Sequence, residues 1–268
     1  MWRRLPVVLV LVTSALLAGC SVLEMGPSPT TTYTDANGQT VTVDWKDYPA
    51  AEGSDAEAML DAPDQAELEA PARQLVNDLR DAVEEAAGTP LVPQRTEESW
   101  FDDEDWYPVE GNGYGGEPLL TTVNCCRLSS DRVPDLERWR AIVDAASRVT
   151  EEAGLGPLVL EHESGAMADD PAWRKEHHER FCNVVGGGCW WWSAVAADGY
   201  RWISLDLQDA SLDPTGDGLD EAEELDLSAA SITLEYGATV VRAGMKPAYE
   251  EALAPFRGLE QPEATRSD

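Results

Sequence analysis

The amino-acid sequence predicts an α+β fold, in which a mainly antiparallel sheet carries helices on one face. Three observations support this prediction. Several segments alternate as strands do, other segments repeat apolar residues at helical spacing, and the later strands are joined by short connections. The predicted order is hairpin, helix, strand, helix, strand, helix, hairpin, strand and helix, which together form a two-layer sandwich.

The first part of the domain supplies a hairpin and a helix. Asn37-Gly38 lies between alternating stretches and predicts a hairpin turn. Apolar residues at helical spacing predict a helix over 71–87. Residues 48–64 are expected to be irregular or partly helical, and residues 89–117 to form a loop.

The second part alternates strands and helices, and each is predicted from its pattern of apolar residues. Strands are predicted over 118–127, 158–164 and 231–241. Helices are predicted over 135–153, 171–181 and near 247–253. A second hairpin around Asp198-Gly199 completes the sheet.

The first twenty residues predict where the protein is located. Arg3 and Arg4 precede an apolar stretch over 5–17 that is too short to span a bilayer. Leu17-Ala18-Gly19-Cys20 then resembles the lipobox of bacterial lipoproteins. The resemblance implies a signal peptide over 1–19 and a Cys20 that carries acyl chains such as palmitate, on the extracytoplasmic face of the cell membrane. The alternative is an uncleaved anchor with an incidental cysteine.

Charge and composition define the remaining organisation. Residues 20–32 are predicted to be a flexible tether, residues 33–258 a single extracytoplasmic domain, and residues 259–268 a disordered tail. Removal of 1–19, which hold two arginines and no acidic residue, changes the formal net charge from −32 to −34. Such a charge repels nucleic acid phosphates and anionic headgroups, so nucleic acid is not an expected partner.

Four cysteines follow Cys20, and an even number outside the cytoplasm predicts disulfides. They are Cys125, Cys126, Cys182 and Cys189. Because neighbouring side chains of a strand point to opposite faces, a bridge between the first two is disfavoured. We therefore expect two long-range bridges from this strand to Cys182 and Cys189, with free buried thiols as the alternative.

The second hairpin is the candidate binding surface. A two-residue turn at Asp198-Gly199 pairs Val195 with Trp202 and Ser193 with Ser204. The face predicted to lie in the core carries Trp190, Trp192, Ala194, Ile203, Leu205 and Leu207. The other face combines aromatic rings with hydrogen-bonding groups, as binding of a sugar ring or of a partner's apolar side chain requires. The candidate binding residues are Trp191, Tyr200, Trp202, Ser193, Ser204 and Asp206. The alternative is that the aromatic segment 100–114 covers this face as a second core.

An acidic segment is the candidate metal site. Residues 213–224 resemble an EF-hand calcium loop. Oxygen donors fall at loop positions 1, 3, 5, 9 and 12, and a glycine occupies loop position 6. Asp213, Asp217 and Glu224 are the candidate ligands of calcium, and otherwise no cofactor is expected. The alternative is an acidic surface loop.

Other motifs carry little chemistry. Residues 111–116 match the G-x-G-x-x-G fingerprint, but a strand rather than a helix is predicted to follow, so we interpret the glycines as a turn. His162, His177 and His178 lack the spacing of zinc hydrolases, and His162 is interpreted as structural. The sequence contains no G-x-S-x-G elbow.

Several stretches resemble the LppA-like lipoproteins of actinobacteria and together cover most of residues 33–256. They are DANGQTVTVDWKDYP, GNGYGGEPLLTTVN, the WWW…DGYRWISLDLQD hairpin and SITLEYGATVV. The resemblance implies a surface lipoprotein family without an established activity, and it supplies no catalytic residues. The sequence therefore predicts a non-enzymatic binding or interaction module of the cell envelope, whose partner is a protein or a glycan. The alternative is a metal-dependent hydrolase that acts on envelope polymers through residues 213–224.

Overall fold

The structure is a computed structural model that describes residues 27–164 and 169–265. Cys20 and the predicted signal peptide lie outside these ranges. A seven-stranded antiparallel sheet and a two-stranded sheet combine with helices, so the predicted α+β fold is confirmed.

Strands β1 to β9 are Thr30–Thr34, Thr40–Asp44, Val92–Pro93, Trp106–Pro108, Leu120–Ser130, Val159–Leu160, Trp191–Ala197, Arg201–Asp209 and Ala230–Val241. Helices α1 to α7 are Ala56–Asp61, Glu69–Ala87, Trp139–Glu152, Glu161–Ser164, Pro171–Phe181, Asp217–Glu224 and Lys246–Leu253.

The large sheet has the order β3-β5-β9-β8-β7-β6, and β4 also pairs with β5. Every neighbouring pair is antiparallel. The last strand of the chain therefore lies between β5 and β8, near the middle of the sheet. Its position brings residues from distant parts of the sequence onto the same face.

The helices α2 and α3 cover one face of the large sheet and form the main core with it. Leu79 and Val83 of α2 and Ile142 of α3 are buried against Leu128 and Leu205 of the strands. The helical spacing that predicted α2 is what places its apolar side chains on one side. Gly88, with φ of 73°, ends this helix in the left-handed conformation that glycine adopts without strain.

A second, smaller core lies on the opposite face, at one end of the sheet. Leu120 of β5 pairs directly with Val241 of β9, and both belong to this core. The rings of Trp45, Tyr48 and Phe256 pack over them, with centroids 5.1 to 5.3 Å apart. We call this region the covered end of the sheet.

The covered end includes two segments that were predicted to lie outside the domain. Residues 30–32, predicted as tether, belong to β1. The predicted disordered tail is packed as far as Thr265, since Gln261 donates to the Tyr48 hydroxyl and Tyr114 donates to the Pro262 carbonyl. Residues 266–268 lie outside the described ranges. The polar composition of these segments concealed their contacts with the covered end.

Three element predictions differ from the structure. The strand predicted over 158–164 ends after β6, and α4 follows, because Glu-His-Glu-Ser holds no β-branched or aromatic strand former. His162 therefore lies on a helix. The loop predicted over 89–117 contains β3 and β4, and the acidic loop over 213–224 contains α6.

The four cysteines form two disulfides, as predicted, but the predicted long-range pairing is wrong. Cys125 bonds to Cys126, and Cys182 bonds to Cys189. A β-bulge follows Cys125, and Cys126 has φ of 64°, so the two side chains no longer alternate as in a regular strand.

The second disulfide closes a short loop at the end of α5. Three consecutive glycines over 186–188 have positive φ, and the Trp190 N–H donates to the Phe181 carbonyl. The chain therefore folds back on itself and places Cys189 beside Cys182.

The second hairpin forms, but its register differs from the prediction by two residues. Val195 pairs with Ser204 and Ala197 with Trp202, because the turn is Gly199-Tyr200. A shift by an even number of residues leaves every side chain on its predicted face. The predicted core face is accordingly buried or half-buried in the structure.

Candidate functional site

The sheet face opposite α2 and α3 is open beyond the covered end, and we call this part the open face. The register places the following residues on it: Asn124, Arg127, Ser129, Trp191, Ser193, Val195, Trp202, Ser204, Asp206, Gln208, Ser231, Thr233, Glu235 and Gly237. Most of their side chains are exposed or half-buried. The large rigid sheet therefore presents one face that carries few apolar residues.

Polar side chains form rows across the open face. One row joins Ser193, Asp206, Thr233 and Ser129 on four consecutive strands. Such directly opposed residues lie about 5 Å apart at their β-carbons. Hydroxyl and carboxyl groups therefore lie next to one another across the centre of the face.

Two clefts on this face form one groove. The first has a volume of about 330 Å³ and is bounded by Trp202, and the second has about 400 Å³ and is bounded by Trp191. Both are lined by Gln94 and Arg127. Trp191 pairs with Gln208, which is six residues along β8 from Trp202, so the two indoles lie about 20 Å apart along the strand.

Trp202 lies flat against the sheet. It pairs with Gly237, and a β-carbon on that glycine would come within 2.1 Å of the indole. In the described chain the indole N–H groups of Trp202 and Trp191 donate no hydrogen bond, whereas the buried indoles of Trp45 and Trp139 do donate one. The two indoles of the groove therefore keep a free donor.

Ion pairs neutralise the charges of the first cleft. Arg127 Nε lies 2.9 Å from Glu235 Oε1, and Arg95 Nη2 lies 2.5 Å from Asp105 Oδ2. Asp105 is only 5% exposed and also accepts the Phe101 N–H. Each carboxylate of this cleft is thus balanced by an arginine.

Asp206 occupies the middle of the groove. Burial raises the pKa of its carboxyl above the ordinary value, and the hydrogen bond with Ser193 partly opposes this shift. Glu235 and Glu161 add a further rise in this pKa, and Arg127 lowers it. The centre of the open face therefore disfavours an additional negative charge.

Backbone strain is concentrated at the first cleft. Among the described residues three non-glycine residues have positive φ, and two of them, Phe101 at 68° and Cys126 at 64°, lie at this cleft or next to Trp100 on its wall. The Cys125–Cys126 disulfide itself lines the cleft. Strained conformations of this kind cost about 1–3 kcal/mol each and are typical of ligand sites.

The structure brings together five of the six predicted binding residues. Trp191, Ser193, Trp202, Ser204 and Asp206 all lie on the open face. Their places on this face follow from hairpin alternation alone, and Trp191, Trp202 and Asp206 also line the groove.

Tyr200 is the exception among the predicted binding residues. It lies in the hairpin turn and packs between the main core and the covered end. Burial raises the pKa of its hydroxyl, and the Arg201 guanidinium lies 5.2 Å from its ring centroid. Tyr200 therefore joins the two cores and does not line the groove.

Segment 100–114 covers this sheet face only in part. Val109 and Tyr114, near its end, belong to the second core at the covered end, as the alternative prediction supposed. β4 pairs with the outer edge of β5, and Trp100 and Tyr107 stand as one wall of the first cleft, which stays open.

Sequence reasoning missed the groove residues that lie outside the hairpin, most of them on β5 and β9. The main ones are Gln94, Asn124, Arg127, Thr233 and Glu235. The alternation of apolar and polar residues in β9 could have identified Thr233 and Glu235 as a solvent-facing row. The pairing of β9 with both β5 and β8 could not be derived from such a pattern.

The predicted calcium ligands are not brought together. Asp213 is 7% exposed, and its carboxylate accepts the Thr215 and Gly218 N–H groups at the start of α6. Asp217 and Glu224 lie at opposite ends of this helix, about 10 Å apart along its axis. In the part of the chain that the structure describes, no group of three or more His, Cys, Asp or Glu side chains is arranged to hold a metal ion.

The glycine-rich segment 111–116 is a structural loop. The Asn112 amide nitrogen lies within 3.1 Å of the Trp45, Lys46 and Tyr48 carbonyl oxygens. A β-carbon on Gly116 would lie 1.6 Å from the Lys46 oxygen. The glycines therefore allow close backbone packing at the covered end.

The histidines do not enter the groove as a catalytic set. The rings of His162 and His177 stack at 5.9 Å beside the edge of β7, and burial lowers the pKa of each. His177 also contacts the Trp191 ring, with centroids 5.7 Å apart, while His178 is exposed. The partly buried, structural character predicted for His162 agrees with this packing.

No protein-family model matches this chain, and no curated protein or solved structure is significantly similar to it. No helix within 27–164 and 169–265 combines the length and the apolar character needed to cross a membrane.

Proposed function

We propose that this protein is a lipid-anchored, non-enzymatic binding module of the cell envelope, whose ligand lies in the groove of the open face. One observation carries the proposal. Trp191 and Trp202 stand at the two ends of a groove on a rigid sheet, with polar side chains between them. Both indoles are half-buried, and Trp191 also packs against the rings of His177 and Phe181 of α5. Aromatic residues displayed in this way are typical of recognition surfaces.

The polar groups of the groove support binding. Glu235 and Asp105 are held in ion pairs with arginines, and Asp206 is held by Ser193. Such pairs fix the side chains in place, and fixed polar groups can orient a bound ligand. Glu235, Asp206 and Ser193 lie on strands β9, β8 and β7, whereas Asp105 lies in the segment just before β4.

The lipid anchor is part of the proposal and is supported by the sequence. Leu17-Ala18-Gly19-Cys20 follows a basic and apolar leader, as in lipoproteins. Two or more acyl chains on Cys20 would give a stable attachment, at about 0.8 kcal/mol per buried methylene. The domain would then be displayed on the extracytoplasmic face of the cell membrane.

Photo-crosslinking in intact cells tests this function. A photo-reactive amino acid is placed at 191 or at 202 of the anchored protein, and adducts are separated on gels and identified by mass analysis. Tyr33 is the matched control, because it is a half-buried aromatic residue of the covered end. Discrete adducts from 191 and 202 but not from 33 are expected, and the absence of adducts from both groove positions would overturn the proposal.

A further inference from the structure

We infer that the ligand of the groove is a neutral oligosaccharide. This inference rests on the proposed function and names the class of ligand that the groove takes. It follows from the charge, the free hydrogen-bonding groups, the aromatic surfaces and the length of the groove.

The charge of the groove favours a neutral ligand. The whole chain has a formal net charge of −32, so an anionic ligand is repelled as it approaches. Within the groove, Arg127 and Arg95 are already paired with Glu235 and Asp105, and offer no unpaired cation. A cationic ligand finds no advantage in the first cleft either, because these same carboxylates are neutralised. The second cleft offers a cation only the half-buried Asp206 and the exposed Asp131.

The free polar groups of the groove favour a ligand rich in hydroxyls. In the described chain the side-chain amides of Gln94, Asn124 and Gln208 take part in no hydrogen bond. An amide both donates and accepts, and a hydroxyl group does the same. An apolar ligand would remove these amides from water without replacing their hydrogen bonds, which is unfavourable.

The aromatic residues supply the surface on which the C–H face of a sugar ring stacks. Trp202 bounds the first cleft, Tyr107 on its wall is 57% exposed, and Trp191 bounds the second cleft. The disulfide between the adjacent residues Cys125 and Cys126 closes a small ring of atoms. This ring lines the first cleft together with Trp202 and adds a rigid surface without a side-chain hydrogen-bond donor. Alternating apolar and polar contacts of this kind match the two kinds of surface that a sugar ring has.

The length of the groove favours several sugar units over a single one. The two indoles lie about 20 Å apart along β8, and the two clefts between them share Gln94 and Arg127. A monosaccharide would contact only one aromatic end. An oligosaccharide can contact both, so its affinity is expected to rise with the number of units until the groove is filled.

The test measures binding of oligosaccharide ladders to the full-length lipoprotein, purified in a detergent without a sugar headgroup. The neutral probes are cello-, malto- and chito-oligosaccharides of one to six units. Oligomers of galacturonic acid and of glucosamine are the anionic and cationic controls. Indole fluorescence and calorimetry report binding.

We expect one of the neutral ladders to bind more tightly with each added unit, and both charged controls to bind at least about tenfold more weakly. Trp202→Ala should weaken binding by about tenfold or more. Gln94→Ala should weaken it severalfold, and because Gln94 is exposed this change leaves the fold intact. Tyr33→Ala, at the covered end, is the matched control and should leave the affinity unchanged.

The failure of this inference is separable from that of the proposed function. If no neutral ladder binds, or if a charged control binds as well as the neutral ladders, the inference is overturned. If crosslinking from 191 and 202 then yields a protein adduct, the binding function stands with a different ligand. If neither measurement gives a signal, both proposals fall.

Discussion

The two ends of the sheet face opposite α2 and α3 are built from the same strands but have opposite surroundings. At the covered end, Leu120 and Val241 lie beneath the buried ring of Trp45. At the open end, β5 and β9 carry Arg127 and Glu235, which remain half-exposed. One sheet face thus serves as core at one end and as surface at the other.

Aromatic residues at the two ends of this sheet face have different roles. The Trp45 indole donates to Thr31 and contacts three other rings, so its bonding is complete within the domain. Trp202 rests on Gly237 and bounds the groove, and its indole N–H donates to no described group. The first residue is expected to act on stability, and the second on binding.

The largest effect is expected from Trp45→Ala. Its side chain is 1% exposed, and removal of a fully buried indole costs about 3–5 kcal/mol of unfolding free energy. Trp202→Ala is expected to cost about 1 kcal/mol, because that indole is half-buried on a face without a second layer. Urea unfolding followed by circular dichroism measures both. Equal losses of unfolding free energy in the two variants would contradict the different roles of Trp45 and Trp202.

Two glycines test the same difference by adding a single methyl group. In Gly116→Ala the new carbon would lie 1.6 Å from the Lys46 carbonyl oxygen, and backbone at the covered end cannot move away, so we expect a loss of about 3 kcal/mol. In Gly237→Ala it would meet the Trp202 indole at 2.1 Å, which can swing into the groove. There we expect about 1–2 kcal/mol.

The same pair of variants has a second readout. Displacement of Trp202 in Gly237→Ala should increase quenching of indole fluorescence by acrylamide, whereas Gly116→Ala should leave it unchanged in the folded protein. A larger loss of stability in Gly237→Ala than in Gly116→Ala would contradict the assignment of open and covered ends.

A smaller, pH-dependent effect is expected from Asp206→Asn. Because burial raises the pKa of Asp206 in the folded state, the folded protein holds this proton to higher pH than the unfolded chain does. The carboxyl therefore lowers stability as pH rises above the ordinary pKa of 3.8. Asp206→Asn should raise the unfolding free energy at pH 7, and the gain should vanish in acid below pH 3.8. Urea unfolding between pH 3.5 and pH 7 measures it, and a variant less stable at pH 7 would contradict it.

The smallest effect is expected at the boundary of the two ends. The hydroxyls of Thr122 and Thr239 lie 2.8 Å apart, between the apolar pair of the covered end and the polar rows of the open face. Replacement of both by valine removes donor and acceptor together, so stability should change by less than about 0.5 kcal/mol. A loss of several kcal/mol, measured by thermal unfolding, would place these residues inside the covered core.

Much of the fold could be predicted because its signals are local. Asn37-Gly38, the apolar spacing of α2 and the alternation of β8 each depend on a few neighbouring residues. The pairing of Cys125 with Cys126 could not be predicted in the same way. It depends on a bulge that adds one residue between Cys125 and Leu128, and no residue type there marks such a bulge.

About half of the candidate site could be predicted from the sequence. Alternation in the hairpin identified Trp202, Asp206 and their neighbours, and the error of two residues in register did not change their face. The other half comes from β5 and β9, which join the hairpin only through the order of strands. That order depends on the packing of the whole sheet and leaves no local signal in either strand.

The attachment of the first residues to the covered end determines how the groove would be presented above a membrane. Ser28 accepts the Lys46 N–H, and the Pro29 carbonyl accepts the Trp45 N–H, so the chain is fixed from Ser28 onward. Eight peptide steps separate Cys20 from Ser28 and reach at most about 29 Å when extended. With an acylated Cys20, the covered end would stay close to the lipid surface. Trp202 would then mark the end of the groove nearer to the membrane, and Trp191 the end farther from it. A ligand that approaches from outside the cell would therefore contact Trp191 first.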